Sequence, residues 1–352
     1  MLEVIGLENE GKWLDIVKRF KDCDVYYLPQ YTKAFQLHGD GEPMLFHFES
    51  ENMKAINVVM KRDITDCEYF SHVCEKNDCF DIATPYGYGG FLVEGDSSGK
   101  ALELLNDAYT AYFSSHGIVS EFVRFHPLLK NYCGMEAIYD TTELGKTISI
   151  DLSSPEVICD NIEAKVCKRI KEAKASGIEI FTGNTRDLYS VFKDLYDKTM
   201  DKNNASPYYY FGESFYQSVM TDLKDNSVIF YAMLNGEIIA IEIDLFYNQY
   251  MHSHLQGSKA EFLHLSPVTL LRYEAALWGC ENGKKALHIG GGVGAQNDSL
   301  YRFKRSFNKK SDNTFAIGKK IFDNKKYEHL IELRKKDPNF VSNPDFFPVY
   351  RA

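Results

Sequence analysis

No apolar run in this 352-residue chain approaches the roughly 20 residues that cross a bilayer. The opening residues, Met1-Leu2-Glu3-Val4-Ile5-Gly6-Leu7-Glu8-Asn9-Glu10, lack a basic region followed by an apolar one. Together these absences lead us to expect a soluble, cytoplasmic protein without a transmembrane segment, while peripheral contact with a membrane stays open. The eight cysteines (Cys23, Cys67, Cys74, Cys79, Cys133, Cys159, Cys167, Cys280) are scattered and contain no C-x-x-C pair. In that compartment they read as free thiols. Cys67, His72, Cys74 and Cys79 lie close together, but their spacing matches no zinc pattern, and no metal site is expected.

Positive charge is scarce in the first part of the chain. The net charge is −10, and dividing the sequence after Cys159 leaves 13 basic against 26 acidic residues before the cut and 27 against 24 after it. Basic residues gather in stretches 165–174, 302–310 and 319–336, where a phosphate-bearing partner would find them. The last stretch alternates Lys325, Lys326, Lys335 and Lys336 with Glu328, Glu332 and Asp337, the pattern of a solvated helix face. The other two stretches have fewer acidic neighbours.

With 44% hydrophobic residues the chain can bury a sizeable core, and its length suits two domains. Apolar alternation predicts strands at 25–28, 44–48, 55–61 and 80–84, followed by the loop Pro85-Tyr86-Gly87-Tyr88-Gly89-Gly90. Leu102, Leu105, Ala108, Tyr109 and Tyr112 have helical spacing, Gly117 closes that helix, and 119–125 returns as a strand ending at His126-Pro127. The second part repeats the order: strands at 228–234, 238–246 and 250–255, a Gly257-Ser258 turn, a helix from Ser266, and a strand at 286–289. Between the repeats lie a strand at 148–152, one long helix over 155–176, and helices at 187–202 and 213–223. The simplest account is an α/β protein of two similar domains.

The densest signal lies in residues 266–307. Ser266 suits an N-cap, Pro267 the first helical position, and Val268, Leu271, Ala275 and Trp278 keep helical spacing until Gly279 and Gly283. The next strand stops at Gly290-Gly291-Gly292, a run that lets a ligand or a neighbouring backbone approach closely. A helix carrying Lys304 and Arg305 follows. An anionic or carbonyl-bearing substrate is expected there. The loop Pro207-Tyr208-Tyr209-Tyr210-Phe211 is the other unusual feature, either a stacking, hydroxyl-donating wall of a pocket or a plug between domains.

Three segments carry a resemblance: Pro85-Tyr86-Gly87-Tyr88-Gly89-Gly90, Lys165-Val166-Cys167-Lys168-Arg169-Ile170-Lys171-Glu172-Ala173, and Gly290-Gly291-Gly292 with Leu300-Tyr301-Arg302-Phe303-Lys304-Arg305-Ser306-Phe307. In these, and in its order of elements, the chain resembles the FemABX-type aminoacyl (peptidyl) transferases, which implies an α/β fold of two tandem GNAT-like acyltransferase domains, each a mixed, mostly antiparallel sheet flanked by helices. No sustained heptad run occurs, so it looks like the compact kind without a coiled-coil arm. The resemblance implies a first domain over residues 1–150, a second over 151–321, and a last segment, 322–352, returning to the first. It also implies transfer of an amino acid from aminoacyl-tRNA to an amine of a peptidoglycan precursor peptide, with no cofactor beyond the donor substrate.

Amide formation from an ester or thioester needs a neutral amine, an attack geometry and stabilisation of the oxyanion. Lys304 is the first candidate, as a cation that neutralises the oxyanion or meets a neighbouring phosphate; Arg305 faces a phosphate or solvent. His252 and His254 alternate on one strand face with Gln256 continuing the row, and His254 is the candidate base, against the alternative of a hydrogen-bonded interior histidine. Asp298 is a second acid/base candidate or simply the cap of the next helix. Lys33, Tyr86, Tyr88, Arg124, Lys168, Arg169, Tyr209 and Tyr210 are the expected substrate-binding residues, the cations pairing with pyrophosphate or carboxylate. The donor stays open. The Q/R-x-x-G-x-G/A turn of acyl-CoA users is replaced here by Gln256-Gly257-Ser258-Lys259-Ala260-Glu261, which argues against ordinary CoA binding. An acyl-CoA-dependent N-acetyltransferase acting on an amino sugar or amino acid, and a non-catalytic precursor-binding module, remain as alternatives.

Overall fold

The computed structural model describes every residue except Glu68, Val73 and Pro344. In chain order the strands are β1 (Leu2–Gly6), β2 (Glu42–Glu49), β3 (Met53–Asp63), β4 (Phe80–Ala83), β5 (Leu92–Gly95), β6 (Ile118–Arg124), β7 (Asp140–Asp151), β8 (Glu179–Gly183), β9 (Ser227–Leu234), β10 (Glu237–Tyr247), β11 (Tyr250–Ser258), β12 (Ala286–Gly290) and β13 (Asn313–Ile321). The helices are α1 (Glu10–Val17), α2 (Pro29–His38), α3 (Gly99–Ser115), α4 (Pro155–Asn161), α5 (Ala164–Ala175), α6 (Arg186–Lys202), α7 (Glu213–Thr221), α8 (Pro267–Glu281), α9 (Ser299–Arg305) and α10 (Asn324–Arg334). No helix among the described residues is long and apolar enough to cross a membrane.

The chain divides into two compact units, Met1–Leu144 with Phe315–Ala352, and Gly145–Thr314. The first unit's strands follow the order β1-β2-β3-β4-β6-β13, with β5 on the start of β3; all these pairs are antiparallel except β4 with β6. In the second unit the order is β7-β12-β11-β10-β9-β8, again antiparallel except for β11 with β12. This is the mixed, mostly antiparallel α/β architecture that the resemblance implies. Each sheet buries its own apolar cluster: Phe46, Val59, Leu105, Tyr109, Phe113 and Val123 in the first unit, and Ile148, Ile150, Val166, Leu271, Ala275, Leu287 and Phe307 in the second.

Four local expectations are corrected. Residues 25–28 are a 3-10 turn leading into α2, because Asp24 accepts from Val25 N at 2.6 Å and Pro29 starts the helix. The long helix over 155–176 is two helices. Ile162 turns extended (ψ 141°) to bury its side chain, while Glu163 N donates to Ser306 O at 2.9 Å and Lys309 N to Asn161 O at 3.2 Å. Tertiary hydrogen bonds thus replace the helical ladder. Gly257-Ser258 is not a turn but the end of β11. A Cβ on Gly257 would lie 2.6 Å from the Leu195 carbonyl carbon, so the glycine lets α6 press on the sheet. Ser266 does not cap α8 with its side chain. It sits in the left-handed region (φ 57°), squeezed between α8 and the 3-10 helix Ala260–Leu265.

Two buried polar clusters tie the first unit together. Asp81 on β4 accepts from Arg62 Nε at 2.7 Å, from the Tyr350 hydroxyl at 3.1 Å and from Arg351 Nε. Tyr350 is itself buried among Ile64, Phe70, Val119, Tyr327 and Leu330. Deeper in the core, Glu121 Oε1 accepts from Tyr109 OH (2.8 Å), Asn57 Nδ2 (3.0 Å) and Tyr139 OH (3.1 Å). Burial nevertheless dominates and pushes Glu121 up to about 7, with the Lys320 ammonium and the three donors opposing it. Because the folded value lies above the unfolded one, this stabilisation is complete below about pH 4.5 and is lost as pH rises through about 7. Denaturant midpoints measured from pH 4.5 to 8 should fall by an amount corresponding to about 1–3 kcal/mol, and Glu121→Gln should flatten that fall. An equally steep fall in the variant would sink this assignment.

Candidate functional site

In the second unit the site is built where β11 and β12 part. β12 pairs with only the first three residues of β11, Tyr250 to His252, although β11 continues to Ser258. The divergence coincides with a bulge: Ile243 faces Leu255 and Asp244 faces Ser253, which leaves His254 as the extra residue. The simple alternation expected for His252, His254 and Gln256 is therefore broken, and Gln256 does not continue the His252 row. His252 and His288 face each other across the last paired position at 5.7 Å between ring centroids, and His288 Nε2 lies 3.0 Å from Thr147 Oγ1. Burial, and secondarily His252, pull His254 down to about 3. At neutral pH it is an uncharged imidazole, too weak a base to carry much of a proton transfer.

Beyond β12 the glycine run closes over two side chains. Gly290 has φ +75°, and a Cβ there would lie 3.1 Å from Lys304 Nζ. On Gly291 a Cβ would lie 2.8 Å from the Lys146 carbonyl, and on Gly292 it would lie 2.1 Å from the Gln296 carbonyl and 2.4 Å from Asp298 Oδ1. Close backbone approach, anticipated from the three glycines, is thus what each of them permits. Lys304 Nζ donates to Gly291 O at 2.8 Å. Its surroundings pull the ammonium down to about 8, burial first and the Arg272 charge second, with Glu242 and Asp298 opposing. Asp298 caps α9, accepting from Tyr301 N at 2.7 Å and Val293 N at 3.0 Å. Those backbone donors hold its carboxyl below the usual range, so the capping alternative describes what its oxygens do.

Sequence reasoning missed the floor of this site. Glu242 and Asp244, two residues apart on β10, are both buried, as is Arg272 on α8. Arg272 Nη2 lies 3.3 Å from Glu242 Oε1 and 3.2 Å from Ser253 Oγ, and Ser253 Oγ donates to the same glutamate oxygen. Burial, then the neighbouring Glu242, push Asp244 well above the usual carboxylate range. The available signal was two acidic residues inside the apolar run Ile238-Ile239-Ala240-Ile241-Glu242-Ile243-Asp244-Leu245, and an arginine inside Leu270-Leu271-Arg272.

The other expected binding residues of this unit lie elsewhere. Lys168 and Arg169 are exposed on α5, where Lys168 pairs with Glu172 at 3.6 Å. Arg305 is exposed and its Nη1 donates to Ser311 O at 3.2 Å, closing the turn after α9. Tyr209 and Tyr210 are partly exposed; Tyr210 OH donates to Asp201 Oδ1 at 2.8 Å, while Phe211 is buried against Phe215.

The first unit gathers Tyr86, Tyr88 and Arg124 around the loop after β4. Gly89 N donates to Arg124 O at 2.8 Å, fastening the loop to the end of β6. Tyr86 stacks on Phe35 and accepts through its carbonyl from Tyr31 OH at 2.5 Å. Tyr88 packs edge-on against Tyr26 at 5.6 Å, and burial raises its phenol. Behind these rings lies a buried pair that the sequence did not reveal, His126 Nε2 to Asp24 Oδ2 at 2.7 Å. Lys33 is half-buried on α2.

Residues 165–305 match the acetyltransferase (GNAT) domain model. Among solved structures, FemX shares 12% identity with this chain at a TM-score of 0.67, covering 94% of this chain and 100% of its own. A conserved protein of unknown function from Bacteroides thetaiotaomicron VPI-5482 shares 11% identity at TM-score 0.56, covering 91% and 99%. The C-terminal domain of a putative lysylphosphatidylglycerol synthetase from Agrobacterium fabrum shares 13% at TM-score 0.53, covering 89% and 92%. No curated protein matches the chain. The β11–β12 divergence and the Lys304 turn thus lie within the stretch that matches the acetyltransferase (GNAT) domain, and the chain as a whole shares its fold with FemX.

Proposed function

We propose that the protein is an amide-forming N-acyltransferase that moves an amino acid from aminoacyl-tRNA to an amine of a peptidoglycan precursor peptide. The observation that carries this reading is Lys304, a half-buried ammonium held on the Gly291 carbonyl beside the parted strands of a GNAT-type domain. A reaction that builds negative charge on an acyl oxygen gains most from a cation already in place and shielded from water. The acyl group would enter the gap between β11 and β12, with Lys304 neutralising the tetrahedral oxyanion. With His254 uncharged and Asp298 engaged as a cap, the amine would arrive neutral or lose its proton to solvent.

Support for an aminoacyl donor comes from the resemblance in the three motif segments and from the fold shared with FemX. The Agrobacterium neighbour, whose name denotes a lysyl group joined to phosphatidylglycerol, points the same way. Acyl-CoA remains the second reading, favoured by the acetyltransferase description of the matching domain model. Transfer of radiolabelled amino acid from charged tRNA to a nucleotide-linked muramyl peptide, with and without RNase, separates the two. Abolition by RNase is expected. Transfer that survives RNase and runs on acetyl-CoA would overturn the aminoacyl-tRNA donor.

A further inference from the structure

Arg272 is buried on α8, yet its guanidinium is not fully satisfied: Nη2 serves Glu242 and Ser253, while Nε has no hydrogen-bond partner. A buried ion pair of this kind is weak evidence for stability, since an apolar residue of similar size often packs as well or better. The geometry instead points towards α9. The guanidinium carbon lies 5.9 Å from the ring centroid of Phe303 and 5.8 Å from that of Phe307, within reach of an attractive cation–π contact. Those two rings bracket Lys304 in the sequence. Helix α9 is seven residues long and buries none of them completely; Tyr301 and Phe303 pack on the core from its inner side, and Phe307, just beyond it, is fully buried there, so the guanidinium meets α9 at its apolar face.

We infer that Arg272 is a positioning residue for Lys304: anchored by Glu242 and Ser253, it carries Phe303 and Phe307 on its guanidinium and so holds the Lys304 amine on the Gly291 carbonyl. This inference rests on the reading of Lys304 as the transfer-step cation. The charged and titratable groups around that amine are Arg272 from α8, Glu242 from β10, and Asp298 from the cap of α9, with Asp244 next to Glu242. Arg272 is the one cation among them, and its charge favours the neutral form of Lys304.

The test compares wild type, Arg272→Gln and Arg272→Lys by two readouts. The first, competitive labelling of Lys304 by an amine reagent across pH, read by peptide mass spectrometry, needs no turnover. In Arg272→Gln the labelling midpoint should rise by about one pH unit. Arg272→Lys keeps the charge but not the flat fork, so its midpoint should stay near wild type. The second readout is transfer kinetics, where both variants should lose about tenfold to a hundredfold in kcat with little change in KM, as expected of a displaced catalytic group. A folded Arg272→Gln protein with wild-type midpoint and kcat overturns the inference. If Arg272→Gln does not fold, Arg272→Lys decides: wild-type kcat in that variant overturns the inference equally. Should Lys304→Met transfer normally while the midpoint still moves in Arg272→Gln, the proposed role of Lys304 fails, and with it the positioning role, leaving only the charge coupling between the two side chains.

Discussion

Lys304→Met is expected to reduce turnover by about 100- to 1,000-fold, the usual cost of losing one oxyanion-stabilising group, while leaving the folded protein intact. The side chain sits in a site that disfavours its own charge, pulled down to about 8 by burial and by Arg272. The unfolded chain therefore holds more protons than the folded one between about pH 8 and 10.5, and stability rises with pH across that window. Methionine removes both the desolvation cost and the 2.8 Å bond to Gly291 O, two losses of opposite sign. Thermal unfolding at pH 7 should barely move, and the rise between pH 8 and 10.5 should disappear. For the wild type, the same ionisation predicts that kcat falls above about pH 8, where the cation is lost. Turnover in Lys304→Met within threefold of wild type would exclude the residue from the transfer step.

The second large effect is structural. Asp81→Ala should destabilise the protein by about 3–5 kcal/mol, because it strands buried positive charge instead of merely deleting a bond. Arg62 and Arg351 both point at this carboxylate, and the Tyr350 hydroxyl completes its shell. Asp81 is fully buried, and Arg351 is largely so. Urea titration gives the magnitude, and a double-mutant cycle with Arg351→Met should recover at least about 1 kcal/mol as coupling. A loss below 1 kcal/mol in Asp81→Ala alone would mean that water reaches the cluster and screens it.

Apolar patterning carried a large part of the fold. β2, β3, β6, β9 and β10 are short, mostly buried apolar runs bounded by polar or turn residues, and α3, α6 and α8 bury residues at helical spacing, so their positions could be read within a residue or two. What escaped were elements whose conformation answers to partners distant in sequence. Ile162 breaks a helix to satisfy Ser306 and Lys309, and His254 bulges out of a strand whose local pattern gives no sign of it. The edge strand β8, with no fully buried residue, lacks an apolar signature, and β13 lies between two basic stretches with a short apolar run of only Phe315, Ala316 and Ile317 to mark it. At the site, the glycine run and Lys304 were legible because they lie within fifteen residues of each other. Arg272 and Glu242 are 30 residues apart and meet only through the packing of α8 on the sheet, so only the oddity of charges in apolar runs announced them.

The division of the chain has a consequence for its synthesis. The second unit is one uninterrupted stretch, whereas the first needs residues from both ends of the sequence. On the ribosome, residues 1–144 emerge first, yet β13, which covers the edge of β6, and Tyr350 and Arg351, which complete Asp81, come last. At about 5–20 residues per second this leaves the nascent first unit waiting on the order of tens of seconds. During that interval an uncovered strand edge and an aspartate met by Arg62 alone are exposed to other chains. All residues of the second unit are made by residue 314, so a translation pause there would hold one complete unit joined to one that still lacks a strand.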